Sequence, residues 1–227
     1  VAKYTAAGTY SVTLTPGKYH VTVVGAGGGA STAGFKTGTT TTGISGNWCY
    51  GTGGGGGLVY GDVNITETVT ASVTVGAGSD GSAMTAVYDE VTYANAYCTE
   101  GGSSSFSFGN NVASAYGGNY GGYSRANMST IGDMTVYPGG GGNPGSAITG
   151  FSYYSGNEGS IPLAKLTEFD DGESGLFDGG AAGGGHVPTE LGNAGKGGDV
   201  AWGYADGVLV FNGGDGHDGA VLIERIG

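Results

Sequence analysis

The chain has 227 residues, of which 54 are glycine and only 5 proline, with 11% aromatic residues and a formal net charge of −12. So little proline without a G-X-Y phase excludes collagen, and the aromatic content sets the chain apart from disordered glycine-rich sequences. With 7 basic residues scattered against 19 acidic ones, it has no patch able to neutralise phosphates, which excludes nucleic acid as a partner.

Taken in chain order, Tyr10, Val12 and Leu14 alternate with polar neighbours, Pro16 and Gly17 offer a turn, and Tyr19, Val21 and Val23 alternate again. This pattern predicts a hairpin with one apolar face. Val69 to Val75 predicts another strand, and further strands are expected over 82–88, 91–97, 105–108, 134–137, 208–211 and 220–226. Short strands between turn signals indicate an all-β sandwich or jelly-roll-like framework. Helix is nearly absent from the pattern; the best window, Ile161 to Phe169, allows barely two turns.

Between the strands lie glycine tracts near 25–29, 51–57, 117–122, 139–145, 179–185, 192–198 and 213–219. Glycine contributes nothing to a core and loses the most backbone entropy on folding, so its abundance calls for a role that a side chain would block. Polyglycine in a left-handed, three-residue helix of the polyproline II type has no internal hydrogen bonds and needs lateral partners wherever it is buried. A bundle of polyglycine II helices framed by β-structure is therefore expected. Its scaffold positions are Gly27, Gly28, Gly29, Gly54, Gly55, Gly56, Gly140, Gly141, Gly183, Gly184 and Gly214. The expected organisation is a single domain over 1–227, hairpin-rich over about 1–108, tract- and loop-rich over about 109–219, and closed by a strand over 220–227.

Several motifs fail on their context. Gly25, Gly27 and Ala30 fit G-x-G-x-x-A after a strand, yet no helical period follows and no acidic residue occurs before Asp62. Residues 213–221 match one calcium-binding nonapeptide, but a single copy cannot supply six to eight oxygen ligands. The acidic run from Glu168 to Glu173 lacks EF-hand spacing. His20, His186 and His217 are widely separated, and no G-x-S-x-G elbow occurs. No metal, cofactor or enzymatic activity is expected; a polysaccharide-cleaving reading would need two carboxyl groups such as Glu168 and Asp171 about 5 to 10 Å apart. Cys49 and Cys98 leave open one bridge or two thiols. No apolar run approaches the ~20 residues of a membrane helix, so no membrane insertion is expected. The opening at Val1, with neither Met nor leader-like segment, implies a trimmed N-terminus.

The aromatics carry the functional expectation. Trp48, Tyr50, Tyr116, Tyr120, Tyr123, Tyr153, Tyr154, Trp202 and Tyr204 fall in stretches that read as loops rich in Gly, Ser and Asn. Rigid amphipathic rings among small, adaptable neighbours form the composition of recognition surfaces.

The order of elements carries a resemblance. Tyr10, Val12 and Leu14 lead to Pro16 and Gly17. Val21 to Val24 then run into Gly25, Ala26 and Gly27 to Gly29, ahead of the five-glycine run Gly53 to Gly57. Val73 to Val75 lead into Gly76 and Gly78, Gly101 and Gly102 precede Ser103 to Phe106, and Gly216 and Gly219 precede Ala220 to Glu224. This order resembles the glycine-rich distal domains of bacteriophage tail fibres, including the tip adhesins of T-even-like phages. It is similar, more weakly, to the glycine-rich extracellular region of anaplastic lymphoma kinase. The resemblance implies a polyglycine scaffold displaying variable loops that bind a bacterial cell-surface receptor, either a glycan or an outer-surface protein. It also implies a place at the end of a virion tail fibre, as monomer or homotrimer, joined to the remainder of the fibre. A structural spacer or oligomerisation domain in a fibre or at a bacterial cell surface is the alternative.

Overall fold

The computed structural model describes residues 1–40, 43–81, 83–87, 90–91, 98–125, 134–137, 139–159, 172, 174–206 and 208–227. The first strands are β1 (Ala2–Tyr4), β2 (Gly8–Leu14), β3 (Gly17–Val24), β4 (Ser31–Thr40), β5 (Gly43–Gly51) and β6 (Leu58–Ile65). There follow β7 (Val69–Val75), β8 (Ala83–Val87), β9 (Glu90–Val91), β10 (Ser104–Phe108), β11 (Asn111–Ala115) and β12 (Gly122–Arg125). The last are β13 (Met134–Tyr137), β14 (Ser152–Tyr154), β15 (Ser174–Phe177), β16 (Val200–Ala205), β17 (Val208–Gly213) and β18 (Ala220–Arg225). Helical residues are confined, among those described, to the 3-10 turns Ala182–Gly185 and Thr189–Leu191. The protein is all-β.

At one end two antiparallel sheets, in the orders β1-β18-β3-β6-β14 and β11-β10-β7-β2, face each other. The period-2 alternation supplies the core between them: Val21 and Val23 of β3, Val59 and Val63 of β6, and Val221 and Ile223 of β18 meet Leu14, Ala71, Val73 and Phe106 from the opposing sheet. The outer face of the five-stranded sheet is covered in part, where Val24, Leu58 and Leu222 pack under Ala182 and Leu191.

The predicted hairpin over 10–23 does not form. β2 pairs with β7, whereas β3 pairs with β18 and β6. Pro16 and Gly17 carry the chain from one sheet across to the other, so both strands still aim their apolar residues into the same core from opposite sides. Arg225 holds this corner, donating from Nη2 to the Pro16 carbonyl at 2.8 Å.

Where the sandwich strands end, the glycine tracts begin. The tract at 52–57 is buried and surrounded by main chain. The N–H groups of Gly53 and Gly56 donate to the carbonyls of Gly198 and Gly195, those of Gly54 and Gly57 to Asn119 and Tyr116, and that of Gly55 to Asn157. Its carbonyls accept in the same rhythm: Gly53 and Gly56 from Gly180 and Gly183, Gly54 and Gly57 from Gly28 and Gly25, Thr52 and Gly55 from Gly139 and Gly142. Residues three apart thus address the same neighbour, and successive residues address different neighbours. The tract at 25–30 is surrounded likewise, by chain near 54–57, 102, 214–217, 118–121, 79 and 198. Each bond contributes about 1 kcal/mol net, and a buried N–H left unmade costs more, so the layer is stable only as a complete array.

Tracts from both halves of the sequence interleave, so the hairpin-rich and tract-rich parts are not separate in space. β3 passes through 25–30 into β4; β5 returns through 52–57 into β6. β7 and β10, β11 and the chain at 144, β14 and the 3-10 turns, and the chain at 195 and β18 bracket similar excursions. The resulting order is sandwich, glycine layer, then a distal group of strands comprising the pairs β4-β5 and β12-β13 and the sheet β15-β16-β17-β8-β9.

Candidate functional site

The distal strands gather most of the nominated aromatics. Trp48 and Tyr50 lie two apart on β5, and Trp202 and Tyr204 two apart on β16, where they share one face; Tyr123 lies on β12, three residues after Tyr120 at the end of a tract. β12 and β13 lie near β5, β8 and β17 lie near β4, and β17 pairs with β16. These residues are carried by strands or by the tract leading into one, rather than by loops. Gly175 lies opposite Trp202, whose indole Nε1 closes over the space where a side chain would stand. Cross-strand cover of a glycine by a large ring fixes the ring on the sheet surface.

The remaining nominated aromatics sit elsewhere. Tyr116 leaves β11 at the sandwich side of the layer, 53% exposed. Tyr153 and Tyr154 lie on β14, the edge of the five-stranded sheet of the sandwich, and not on the distal strands. Tyr154 stacks on His186 with ring centroids 3.9 Å apart and planes 2° from parallel. On its other side Tyr60 lies 6.1 Å away at 9°, and His20 follows Tyr60 at 6.0 Å. Hydrogen bonding with Tyr60, first, and its nearby phenol charge hold the Tyr154 hydroxyl above its ordinary pKa. Beyond His20, Asp62 receives Lys18 Nζ at 2.8 Å and contacts His20 Nδ1 at 2.7 Å. The hydrogen bond from Lys18, reinforced by His20, holds the Asp62 carboxyl below its ordinary pKa. Tyr60, His20 and Asp62 were not singled out as a group in the sequence, because cross-strand neighbours 40 residues apart leave no local motif; the signal available was their common parity on two paired strands.

At the rim of the glycine layer, aspartates take the place of missing carbonyls. Asp218 accepts from Gly78 N at 2.8 Å through Oδ1 and from Ala7 N at 3.0 Å through Oδ2. Asp215 accepts from Gly81 N and Asp199 from Gly179 N. Lys196 bridges Asp178 and Asp199; although burial opposes it, these two carboxylates hold its ammonium above the usual lysine pKa.

The nominated glycines differ in what surrounds them. A Cβ on Gly27, Gly28, Gly29, Gly54, Gly55, Gly56 or Gly141 would fall inside the contact distance of a neighbouring carbonyl. One on Gly140 would meet only the Asn119 side-chain amide, at 3.0 Å, and one on Gly214 the Asp199 backbone at 3.1 Å. Gly183 and Gly184 have φ of 51° and 61°; they turn the chain beneath His186, with Gly183 pressed on Leu58.

The expectations at Ile161 to Phe169, Glu168 and Asp171 lie outside the described residues, as does the Cys49 side chain. Cys98 is buried, its thiol 3.4 Å from the Ala30 carbonyl. Among the described residues no group of three or more His, Cys, Asp or Glu is arranged to hold a metal ion, and no helix is long and apolar enough to cross a membrane. No protein-family model and no curated protein matches the chain.

Proposed function

We propose that the chain is a receptor-binding module of a phage tail fibre, attaching to a bacterial surface glycan or surface protein through aromatic residues on its distal strands. On this reading the tracts are polyglycine II helices, a reading supported by hydrogen-bond partners that recur every third residue. The observation that carries the function is the continuity of sandwich strand, glycine tract and distal strand. Each distal pair hangs from two tracts anchored in the same lattice, which lowers the entropy lost when the distal surface binds. Trp48, Tyr50, Tyr123, Trp202 and Tyr204 stand on elements held in this way.

Adsorption to a confirmed host and binding to a bacterial glycan array test the proposal, with wild type compared against Trp202→Ala with Tyr204→Ala and against Tyr120→Ala with Tyr123→Ala. Loss of binding by at least about tenfold, equivalent to ~1.4 kcal/mol, is expected for one pair or the other. Unchanged adsorption by both double variants overturns the reading.

A second reading, as a structural spacer or oligomerisation domain, is favoured by one observation. Among the described residues β2 is a seven-residue edge strand without Lys or Pro that pairs on one side only, the kind of edge that can template a partner strand. A stable multimer by light scattering, abolished by Ser11→Pro, is its expected signature.

A further inference from the structure

The four-stranded sheet of the sandwich closes one of its edges and leaves the other open. At β11, Ser114 donates its N–H to the Ser146 carbonyl at 2.7 Å and accepts from Gly145 N at 2.8 Å, and Ser146 N donates to the Ser114 hydroxyl at 2.8 Å. At the opposite edge no described strand lies beyond β2. We propose that β2 pairs with β2 of a second copy of this chain, antiparallel about a two-fold axis through Ser11. The inference rests on the oligomerisation reading and adds to it the partner, the direction and the register.

Nothing along this strand blunts the edge. β2 pairs with β7 over its whole length without a bulge and contains neither Pro nor a charged residue, the devices by which edges are usually protected. Across the seam its side chains would meet the kinds of neighbour they already have. Within the chain Thr9, Tyr10, Ser11 and Thr13 stand opposite Thr74, Val73, Ser72 and Thr70. About the axis Thr9 meets the second copy's Thr13, Tyr10 its Val12, and Ser11 its Ser11. Thr–Thr and aromatic–β-branched neighbours are favourable cross-strand pairs. An axis normal to the sheet also keeps the exposed Thr9, Ser11 and Thr13 on the wet face of both copies, with Tyr10, Val12 and Leu14 on the core side. A parallel two-fold pair would set one copy's wet face beside the other's core side.

Charge selects the same partner and the same direction. With a formal net charge of −12, two copies repel one another unless they meet where charge is absent. The strands β2, β7, β10 and β11 contain no charged residue, and of the 19 acidic residues only Asp62 and Glu67 precede Asp80. Lys3, on β1 beside β2, donates its ammonium to the Glu190 carbonyl on the outer face of the other sheet, away from the seam. The Gly8 end of β2 lies level with Val75, next to the glycine layer, where Gly76 accepts from Gly219 N. Antiparallel copies therefore send their glycine layers and distal strands to opposite ends and leave both distal surfaces free. Seven paired residues span roughly 24 Å. A seam that narrow is smaller than a standard interface, so the dimer has a Kd on the order of ten micromolar.

Sedimentation velocity over a concentration series bracketing that value tests the seam. Wild type is compared with two variants, Thr9→Lys with Thr13→Lys and Thr9→Lys with Thr13→Glu. Both positions are exposed, and melting temperatures check that each variant folds as wild type does. Wild type is expected to dimerise. The first variant sets like charges opposite one another twice and should weaken the dimer at least about tenfold at low salt, with the loss shrinking at high salt. The second sets opposite charges across the antiparallel seam and should dimerise at least as tightly as wild type; in a parallel pair it would face like charges and dissociate. A wild type that stays monomeric throughout the series overturns this inference and the oligomerisation reading together. A trimer, or a dimer that the first variant keeps or the second loses, overturns this seam and leaves the oligomerisation reading standing.

Discussion

Gly55 illustrates how a single atom decides the stability of this chain. Its N–H donates to Asn157 and its carbonyl accepts from Gly142, while the space for a Cβ is taken by the Ala181 carbonyl. A methyl group there cannot be relieved by a rotamer change, because the obstacle is main chain held by its own bond to Asn157 N. Gly55→Ala is therefore expected to destabilise by about 3 kcal/mol or more, at or beyond the upper end of ordinary overpacking. Gly140→Ala, which meets only the movable Asn119 amide, should cost under about 1 kcal/mol. Thermal or urea unfolding of the two variants measures the contrast; equal losses would show that the tracts slide past the extra methyl. At Asp62 the effect is electrostatic and small, the site being exposed. Its carboxyl is held below the ordinary value of 3.8, chiefly by Lys18 and then by His20. The pair stabilises the fold fully above that value and ceases to do so as pH falls through the lower, folded pKa. Asp62→Asn should accordingly lower the melting temperature slightly at neutral pH, with the difference from wild type closing in a pH series of melts once the pH has fallen below the ordinary carboxylate range.

At the scale of elements, side-chain pattern and main-chain pairing carry different information. Alternation made β2, β3, β7 and β18 legible, since each buries every second residue in the sandwich core. It says which face is buried and nothing of which strand lies alongside, and this is why Pro16 and Gly17 read as a hairpin turn when they span two sheets. β4 and β5 escaped notice because their Thr- and Gly-rich sequences have no apolar alternation. The glycine tracts announced that main chains pack closely, but the choice of neighbour is made by carbonyls and amides common to every residue. Side chains show the lattice where they close amides that have no carbonyl to meet: Ser104 takes Gly76 N, and at the rim Asp218 takes two, one of them from Ala7 near the start of β2. Asp218→Ala leaves the part-buried Gly78 donor unpaired and returns the exposed Ala7 donor to water, and should cost about 2 kcal/mol. Asp218→Asn keeps one acceptor and should recover about half of that loss. Denaturant midpoints of the two variants rank these outcomes, and an Asn variant as unstable as the Ala variant would point to charge rather than hydrogen bonding as the rim's contribution.

For the whole molecule, the connectivity leaves the sandwich and the glycine layer no independent route to unfold. Val24 ends β3 and Gly25 begins a tract; Gly57 ends another tract and Leu58 begins β6; Gly219 and Ala220 join in the same way. The partners of 52–57 come from chain near 25, 116, 139, 157, 180 and 195, so no tract can leave without breaking bonds to segments anchored elsewhere in the sandwich. Local opening is the usual fate of segments without buried apolar side chains, and a glycine array judged by apolar area alone would be expected to exchange early. Its amides are instead buried and mutually bonded, and opening one exposes polar groups that the neighbours cannot re-pair. Hydrogen exchange under native conditions should therefore find the amides of Gly25, Gly28 and Gly53 to Gly57 as protected as those of Val21, Val23 and Val221, all opening only with the global transition. Faster exchange in the tracts than in the sandwich would mean that the layer is a separable unit resting on the β-frame, and the rigid mounting that the proposed receptor-binding reading requires would be lost with it.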